Sequence, residues 1–249
     1  MSTSKVSRQS INWLLLEGIA IVLSILLAFW IDAWWDGRKD RLEEREILIG
    51  LEVEFLDLRD RLDQWAQFNR TGAQFVDQFL SDSVTEMDLR SIESAFTYAS
   101  LVNVLDQGGA LDALLASGRL ERISNRDIRA RLVKWPDWLE DIHTNDLSAR
   151  RYAMGEIVPY LAKRGFPRFC LEPELYLICP GTEPIPPAYM QLAENPEFRS
   201  MLAMRRAWML GAAGDHESAR DEADDILELI RESLAELGTN TNRRDPDAD

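Results

Sequence analysis

The feature that most constrains this chain is the apolar run from Ile11 to Ile31, which holds thirteen Leu, Ile, Val or Phe side chains and one ionisable residue, Glu17. At a rise of about 1.5 Å per residue, a helix of this length covers the hydrocarbon core of a bilayer, about 30 Å thick. On the insertion scale these apolar side chains outweigh the cost of about 3 kcal/mol for one charged group. The run is therefore predicted to be a transmembrane helix in contact with membrane lipid.

Two other interpretations of the same run are a buried core helix and a cleaved signal peptide. Trp13 near its start and Trp34 just after its end are typical of the aromatic belts of a spanning helix. Lys5 and Arg8 before it would also suit a signal peptide, but the run is too long and residues 29–32 offer no pair of small residues for cleavage. A retained anchor is expected.

Charge narrows the range of partners. The 249 residues carry 28 Lys and Arg against 43 Asp and Glu, a formal net charge of −15. Nucleic acid is not an expected partner, because binding it requires a basic surface that neutralises phosphates.

About 200 residues remain after the anchor, enough for one soluble domain, which we place at residues 32–238.

The side of the membrane on which this domain lies is indicated by two conflicting signals. Two basic residues precede the anchor and four follow it closely, which slightly favours a cytoplasmic domain. The only two cysteines, Cys170 and Cys179, lie in one loop at hairpin-like spacing, and such a pair suits a disulfide in an oxidising compartment. Two unlinked buried thiols are the alternative.

Two stretches resemble a family of uncharacterised bacterial single-pass inner-membrane proteins. The first is LEGIAIVLSILLAFWIDAWWD, from Leu16 to Asp36, with a Glu near the start of the anchor and a polar and Trp motif at its end. The second runs from Gly109 to Asn125, a small-residue helix ending in Ser-Gly and followed by a leucine-rich segment. The resemblance implies a short cytoplasmic N-terminus over residues 1–10 and a periplasmic domain. It implies no activity, because none is established for the family.

One face of the anchor is small and polar. Helical steps of three and four place five residues on it: Glu17, Ala20, Ser24, Ala28 and Asp32. Small residues allow two helices to approach closely, and a Ser or protonated Glu can donate a hydrogen bond across the contact. The face is predicted to pack against a second copy or another membrane protein. Alternatively, Glu17 reaches the headgroups and the small residues are incidental.

A second stripe follows the membrane segment at alternating steps of three and four: Leu48, Leu51, Phe55, Leu58, Leu62 and Trp65. It predicts a long helix that continues from the anchor. The stripe either joins two chains near the membrane or forms the core face of the domain's first helix. The second interpretation is favoured, because Leu56 and Phe68 widen the apolar face.

The remaining pattern predicts a mostly α, bundle-like domain. Helices are expected at about residues 87–105, in a short stretch that ends near Gly118, and at about 125–147, 196–211 and 215–237. Ser124 is expected to cap the helix at 125–147, and Pro136 is expected to kink it. Between Gly165 and Pro187, six prolines and the two cysteines predict an irregular, disulfide-linked loop with one short strand at 175–178. Residues 239–249 are predicted to be a disordered tail.

No motif for catalysis, a cofactor or a metal is found, so no such site is predicted. His143 and His216 are the only histidines, and each is interpreted as a solvated helix or cap position. Five aromatic residues could line a ligand pocket, although core packing is the favoured interpretation: Trp135, Trp138, Tyr152, Tyr160 and Trp208.

Three function classes follow from these patterns. The leading one is a membrane-anchored scaffold or oligomer-forming protein of the bacterial envelope. The second is a ligand-sensing or accessory subunit of another membrane protein, and an enzyme is the third. A cleft with converging carboxylates would favour the enzyme. A deep pocket between helices, lined by the aromatic residues and by Arg150, Arg151, Arg205 or Arg206, would favour the sensor.

Overall fold

A computed structural model describes residues 8–81, 86–105, 109–164, 185 and 187–242. Over these ranges all regular structure is helical, which confirms the mostly α prediction. The α-helices in chain order are α1 (Arg8–Ser81), α2 (Leu89–Ser100), α3 (Ala110–Ala116), α4 (Arg126–Tyr152), α5 (Val158–Ala162), α6 (Pro187–Glu194) and α7 (Pro196–Asn242). A 3₁₀ turn, Arg119–Arg122, precedes α4, and a π-helical turn, Ala153–Ile157, joins α4 to α5. Cys170, Cys179 and the loop predicted around them lie outside the described residues.

Helix α1 is one uninterrupted helix of 74 residues, about 110 Å long. It begins before the predicted membrane segment and continues to Ser81, so the prediction of a long helix that follows the anchor is confirmed. Gly37 and Gly50 lie inside it without ending it, although glycine in a helix interior costs about 1 kcal/mol relative to alanine.

Helix α7 lies antiparallel to the second half of α1. Ion pairs link the two helices along their length, with residue numbers rising on α1 as they fall on α7: Glu52–Arg231 (2.9 Å), Asp63–Arg220 (2.9 Å), Arg70–Glu217 and Asp77–Arg206 (2.8 Å). Each is partly exposed and contributes little free energy, typically about 0–1 kcal/mol. Their regular order shows that the two helices keep one register.

Apolar packing between α1 and α7 forms two cores. The proximal core is nearer the anchor and includes Leu48, Phe55, Leu62, Trp135 and Ile226. The distal core lies at the far end and includes Phe79, Phe96, Leu161, Phe198 and Leu202. The stripe from Leu48 to Leu62 is at most 6% exposed, and Trp65 packs partly buried against the same proximal core. The interpretation of that stripe as a core face is confirmed.

Several predicted boundaries are wrong. Helix α2 ends at Ser100, and residues 101–105 form an extended segment. Asn125, not Ser124, caps α4, because its Oδ1 accepts hydrogen bonds from the amides of Asp127 and Ile128. Helix α4 includes Pro136 and continues to Tyr152.

The C-terminal part is also more continuous than predicted. Helix α7 runs through Gly211 and Gly214 as one helix, where two were expected, and α6 was not predicted. Helix α7 reaches Asn242 and so includes the first residues of the predicted tail, while residues 243–249 lie outside the described ranges. Packing of Met209 and Ala213, 0% and 1% exposed, offsets the low helix propensity of the glycines between and beside them.

Candidate functional site

The first part of α1 projects from the domain. Every residue from Glu17 to Asp36 is exposed, and the first buried side chain on this helix is Glu44. Large apolar side chains from Ile19 to Ile31 are 43–68% exposed. Exposed apolar surfaces of this size mark contacts with another protein or with a membrane. Of the helices described, α1 alone is long and apolar enough to cross a membrane, with a mean hydropathy of 1.9 over its most apolar window.

The predicted packing face lies on this projecting segment. All five of its residues are exposed: Glu17, Ala20, Ser24, Ala28 and Asp32. The Ser24 hydroxyl donates a hydrogen bond of 2.8 Å to the Ala20 carbonyl one turn earlier. Because that bond uses the only proton of the hydroxyl, the Ser24 oxygen is left as an acceptor for a donor from another helix.

A polar clasp connects α1 to the domain just after the projecting segment. Glu44, 5% exposed, accepts hydrogen bonds of 2.6 Å from both the amide and the hydroxyl of Ser124. Asp40 pairs with Arg122 at 2.6 Å, and Glu43 pairs with Arg119 at 3.0 Å. Charge-assisted hydrogen bonds of this kind are stronger than neutral ones. These three contacts, made by Asp40, Glu43 and Glu44, form the clasp. They hold the 3₁₀ turn and the start of α4 against α1, so the domain begins within one turn of Asp40.

Three buried ionisable residues lie among the core side chains of α4 and α7. Asp146, Arg205 and His216 are 1%, 0% and 0% exposed. Oδ2 of Asp146 accepts a hydrogen bond of 3.1 Å from the Leu105 amide, and it also lies 3.3 Å from His216 Nε2. We call these three residues the buried polar layer.

The buried polar layer holds the extended segment 101–105. Arg205 donates from Nε to the Ala99 carbonyl at 3.1 Å and from Nη2 to the Leu101 carbonyl at 2.8 Å. His143 Nδ1 lies 2.6 Å from the Leu105 carbonyl. The Ala99 carbonyl lies in the last turn of α2 and the Leu101 and Leu105 carbonyls lie beyond it, so none has a partner within a helix. A buried backbone group without a partner costs about 1–3 kcal/mol. These contacts therefore stabilise a non-helical segment that is half-buried over residues 101–104 and fully buried at Leu105.

Arg205 remains charged in this setting. Burial lowers the pKa of its guanidinium to about 10, and the Asp146 carboxylate opposes that shift. Since about 10 is still well above neutral pH, the layer contains a buried cation opposite a carboxylate. His216 Nδ1 and Arg205 Nη1 have no hydrogen-bond partner among the described residues. His216 is fully enclosed, so a substrate has no route to it in this conformation, and the layer has the geometry of a structural network.

The prediction that the two histidines are solvated is wrong. His216 is fully buried, and His143 is half-buried. The sequence contains a signal for the layer, because each of its three residues takes the place of an apolar side chain in the repeat that forms the core face of a helix. The flanking core residues are Ile142 and Ala149 around Asp146 on α4, Leu202 and Met209 around Arg205 on α7, and Ala213 and Ala219 around His216 on α7. What the sequence did not reveal is which elements the three residues join.

Core packing accounts for most of the aromatic residues. Trp135, 2% exposed, packs edge-on against Trp138 with ring centroids 5.9 Å apart. Tyr160 stacks on Phe198 at 5.4 Å. Trp208 differs, because it lines an open cleft of about 270 Å³ between α4 and α7, together with Asn145, Ala149, Met204, Gly211 and Asp215.

The chain has no match among protein-family models, curated proteins or solved structures. The resemblance to the bacterial inner-membrane family stays a prediction that rests on Leu16–Asp36 and Gly109–Asn125. Across the described ranges, no group of three or more His, Cys, Asp or Glu side chains is placed to hold a metal ion.

Replacement of Asp146 tests the role of the buried polar layer. In Asp146→Ala the Leu105 amide and His216 Nε2 lose their acceptor, and Arg205 loses its nearby carboxylate, so the free energy of unfolding should fall by about 3 kcal/mol or more. Urea unfolding of the full chain in mild detergent measures this loss, and the Leu105 amide should exchange its proton faster. The control Asp225→Ala, whose side chain is 59% exposed, should change stability by less than about 0.5 kcal/mol. Equal effects of the two variants would contradict the assignment.

Proposed function

We propose that this chain is a membrane-anchored scaffold or oligomer-forming protein of the bacterial envelope. The first part of α1 spans the inner membrane, and its small and polar face packs against a protein neighbour. The observation that carries the proposal is the continuity of α1, which is exposed from Glu17 to Asp36 and is the central helix of the domain from Leu48 onward. A neighbour that binds the anchor thereby sets the position of the whole domain.

Helix geometry gives the distance between bilayer and domain. From Ile31 to Glu44, where the domain begins, a helix rises about 20 Å. A headgroup layer is about 5–8 Å thick, so the clasp stands clear of it. Trp34 and Trp35, with ring centroids 5.4 Å apart, lie at the level of the headgroups, and the Arg38 guanidinium lies 5.7 Å from the Trp34 ring. This arrangement suits an interfacial aromatic belt.

The packing face favours a protein neighbour over lipid. Lipid tails gain nothing from Ser24 or Asp32, whereas Ala20 and Ala28 allow another helix to approach closely. Hydrogen bonds between membrane helices contribute about 0.6–2 kcal/mol each. The neighbour is a second copy of the chain or another membrane protein.

The alternative, a ligand-sensing accessory subunit, finds less support in the geometry. The cleft beside Trp208 is open and has no arginine in its lining. Arg205 instead points into the buried polar layer, and Arg206 pairs with Asp77 at 2.8 Å. Of the four arginines expected around such a pocket, Arg205 and Arg206 are therefore engaged elsewhere.

Cysteine crosslinking inside the membrane tests the packing face. Ser24→Cys and Ala28→Cys should each form a disulfide with a neighbour under mild oxidation in native membranes, because both lie on the predicted contact. Leu26→Cys is the matched control, since it lies at the same depth on the opposite side of the helix and is 58% exposed. Crosslinking that is equal at all three positions would show random collision and would contradict the proposal.

A periplasmic domain is part of the proposal. It is supported by the pairing expected of Cys170 and Cys179 in one loop and by the family resemblance, against a small excess of basic residues after the anchor. A disulfide closing this short loop would stabilise the fold by roughly 2–3 kcal/mol.

Thiol labelling tests this orientation. In the unsubstituted chain from its native host, Cys170 and Cys179 should react with maleimide only after denaturation and reduction, because an oxidising compartment keeps them paired. Alkylation at lysis prevents oxidation during handling. Two thiols that are labelled under denaturing conditions without reductant would place the domain in the cytoplasm.

A further inference from the structure

We propose that the neighbour of α1 is a second copy of this chain in parallel orientation, and that their contact continues beyond the membrane along Leu42, Ile49 and Val53. We call these three residues the outer seam. This inference rests on the proposed function, since it names the partner of the anchor and extends the contact onto the domain.

The outer seam is an apolar line that the domain leaves uncovered. Leu42, Ile49 and Val53 are 55%, 38% and 65% exposed. They lie on the side of α1 opposite its core face. Helix α7 covers one flank of α1 through Glu52–Arg231, and the 3₁₀ turn covers the other through Glu43–Arg119. The exposed strip lies between these two flanks.

The outer seam continues the packing face of the anchor. Steps of seven residues, which return to nearly the same side of a helix, connect Ala28, Trp35, Leu42 and Ile49. A second column beside it contains Asp32, Lys39, Glu46 and Val53. Because α1 has no break, both columns pass directly from the anchor to the domain.

A shared membrane selects the partner and its direction. Two copies inserted in the same orientation place identical residues at the same height, so the apolar residues of the outer seam meet each other. Arg38 and Arg45 border the strip on one edge, and Asp36 and Glu43 border it on the other. In a two-fold parallel pair, the basic edge of one helix faces the acidic edge of its partner. The two edges of the strip are thus complementary in charge to those of a second copy.

Local shape also suits close approach. A groove of about 510 Å³ lies beside the strip between α1 and α3, lined in part by Gly50, Ala113 and Ser117. Gly50 has no atom within 4 Å of the position a Cβ would take, so the backbone there is open to a neighbour. After Val53 the same side of α1 presents Asp57 and Asp60, both exposed. No large exposed apolar side chain follows Val53 on α1, so the outer seam ends there.

Crosslinking of the full chain in native membranes tests the outer seam. Leu42→Cys and Val53→Cys should each yield a covalent dimer of twice the chain mass, at least about tenfold more than Glu232→Cys. Glu232 is the matched control because it is exposed on α7, outside the strip, and its neighbour Arg231 pairs with Glu52, which puts it at the height of the outer seam. The unsubstituted chain gives the background from Cys170 and Cys179. Because all substituted positions are exposed, the variants should keep the helical circular dichroism of the unsubstituted chain.

A second variant keeps the test independent of crosslinking chemistry. Val53→Arg should lower the dimeric fraction of the full chain in mild detergent severalfold, because it places two cations opposite each other, while its unfolding midpoint as a monomer stays unchanged. Asp57→Arg, one turn beyond the seam, should leave the dimeric fraction intact.

The outcomes distinguish a failure of this inference from a failure of the proposed function. Crosslinks at Ala28→Cys without crosslinks at Leu42→Cys or Val53→Cys overturn the outer seam and leave an interaction through the anchor. Crosslinks to a protein of another mass overturn the second copy as partner. An absence of crosslinks at Ser24→Cys, Ala28→Cys and the outer seam alike contradicts both.

Discussion

The packing of α7 against α1 is the contact on which the rest of the domain depends. Both cores are built on this antiparallel pair, and α2, α4 and α6 fill the spaces that it leaves. Apolar burial supplies the free energy, while the ordered ion pairs keep the register. A helix such as α1 could not remain single and straight in water on propensity alone, because most helical stability in proteins comes from packing. The pair therefore makes the extramembrane half of α1 a rigid continuation of the anchor.

The two halves of α1 present different surfaces. From Glu17 to Asp36 every side chain is exposed, and large apolar side chains lie on all faces except the small and polar one. From Leu48 onward the apolar side chains narrow to a core stripe, and the opposite side carries the short exposed line of Leu42, Ile49 and Val53. The clasp at Asp40–Glu44 marks the change. Since no loop separates the halves, a contact made by the projecting half has a geometric consequence for the domain.

Sequence periodicity was sufficient to predict elements whose stability is local. It was insufficient to predict contacts between parts of the chain that are distant in sequence. The long apolar helix, the core stripe and the Asn125 region could be located from the sequence pattern, although the cap was displaced by one residue. The division of α7 at Gly211 was wrong, because tertiary packing overrode a propensity cost of about 1 kcal/mol. The pairing of Asp146 with His216 could not be inferred, since the partners lie on different helices and meet only after the extended segment is placed.

The most direct test of the account is the distance across the junction between anchor and domain. Spin labels at Ala33 and Asp57, both exposed, would be separated by about 36 Å along one unbroken helix. The full chain in lipid nanodiscs, diluted with unlabelled protein to suppress distances between copies, can be measured by double electron–electron resonance. A single narrow distribution near that distance is the result predicted here. A broad or bimodal distribution, or a clearly shorter distance, would show that the helix bends or breaks at the membrane and would contradict a rigid connection.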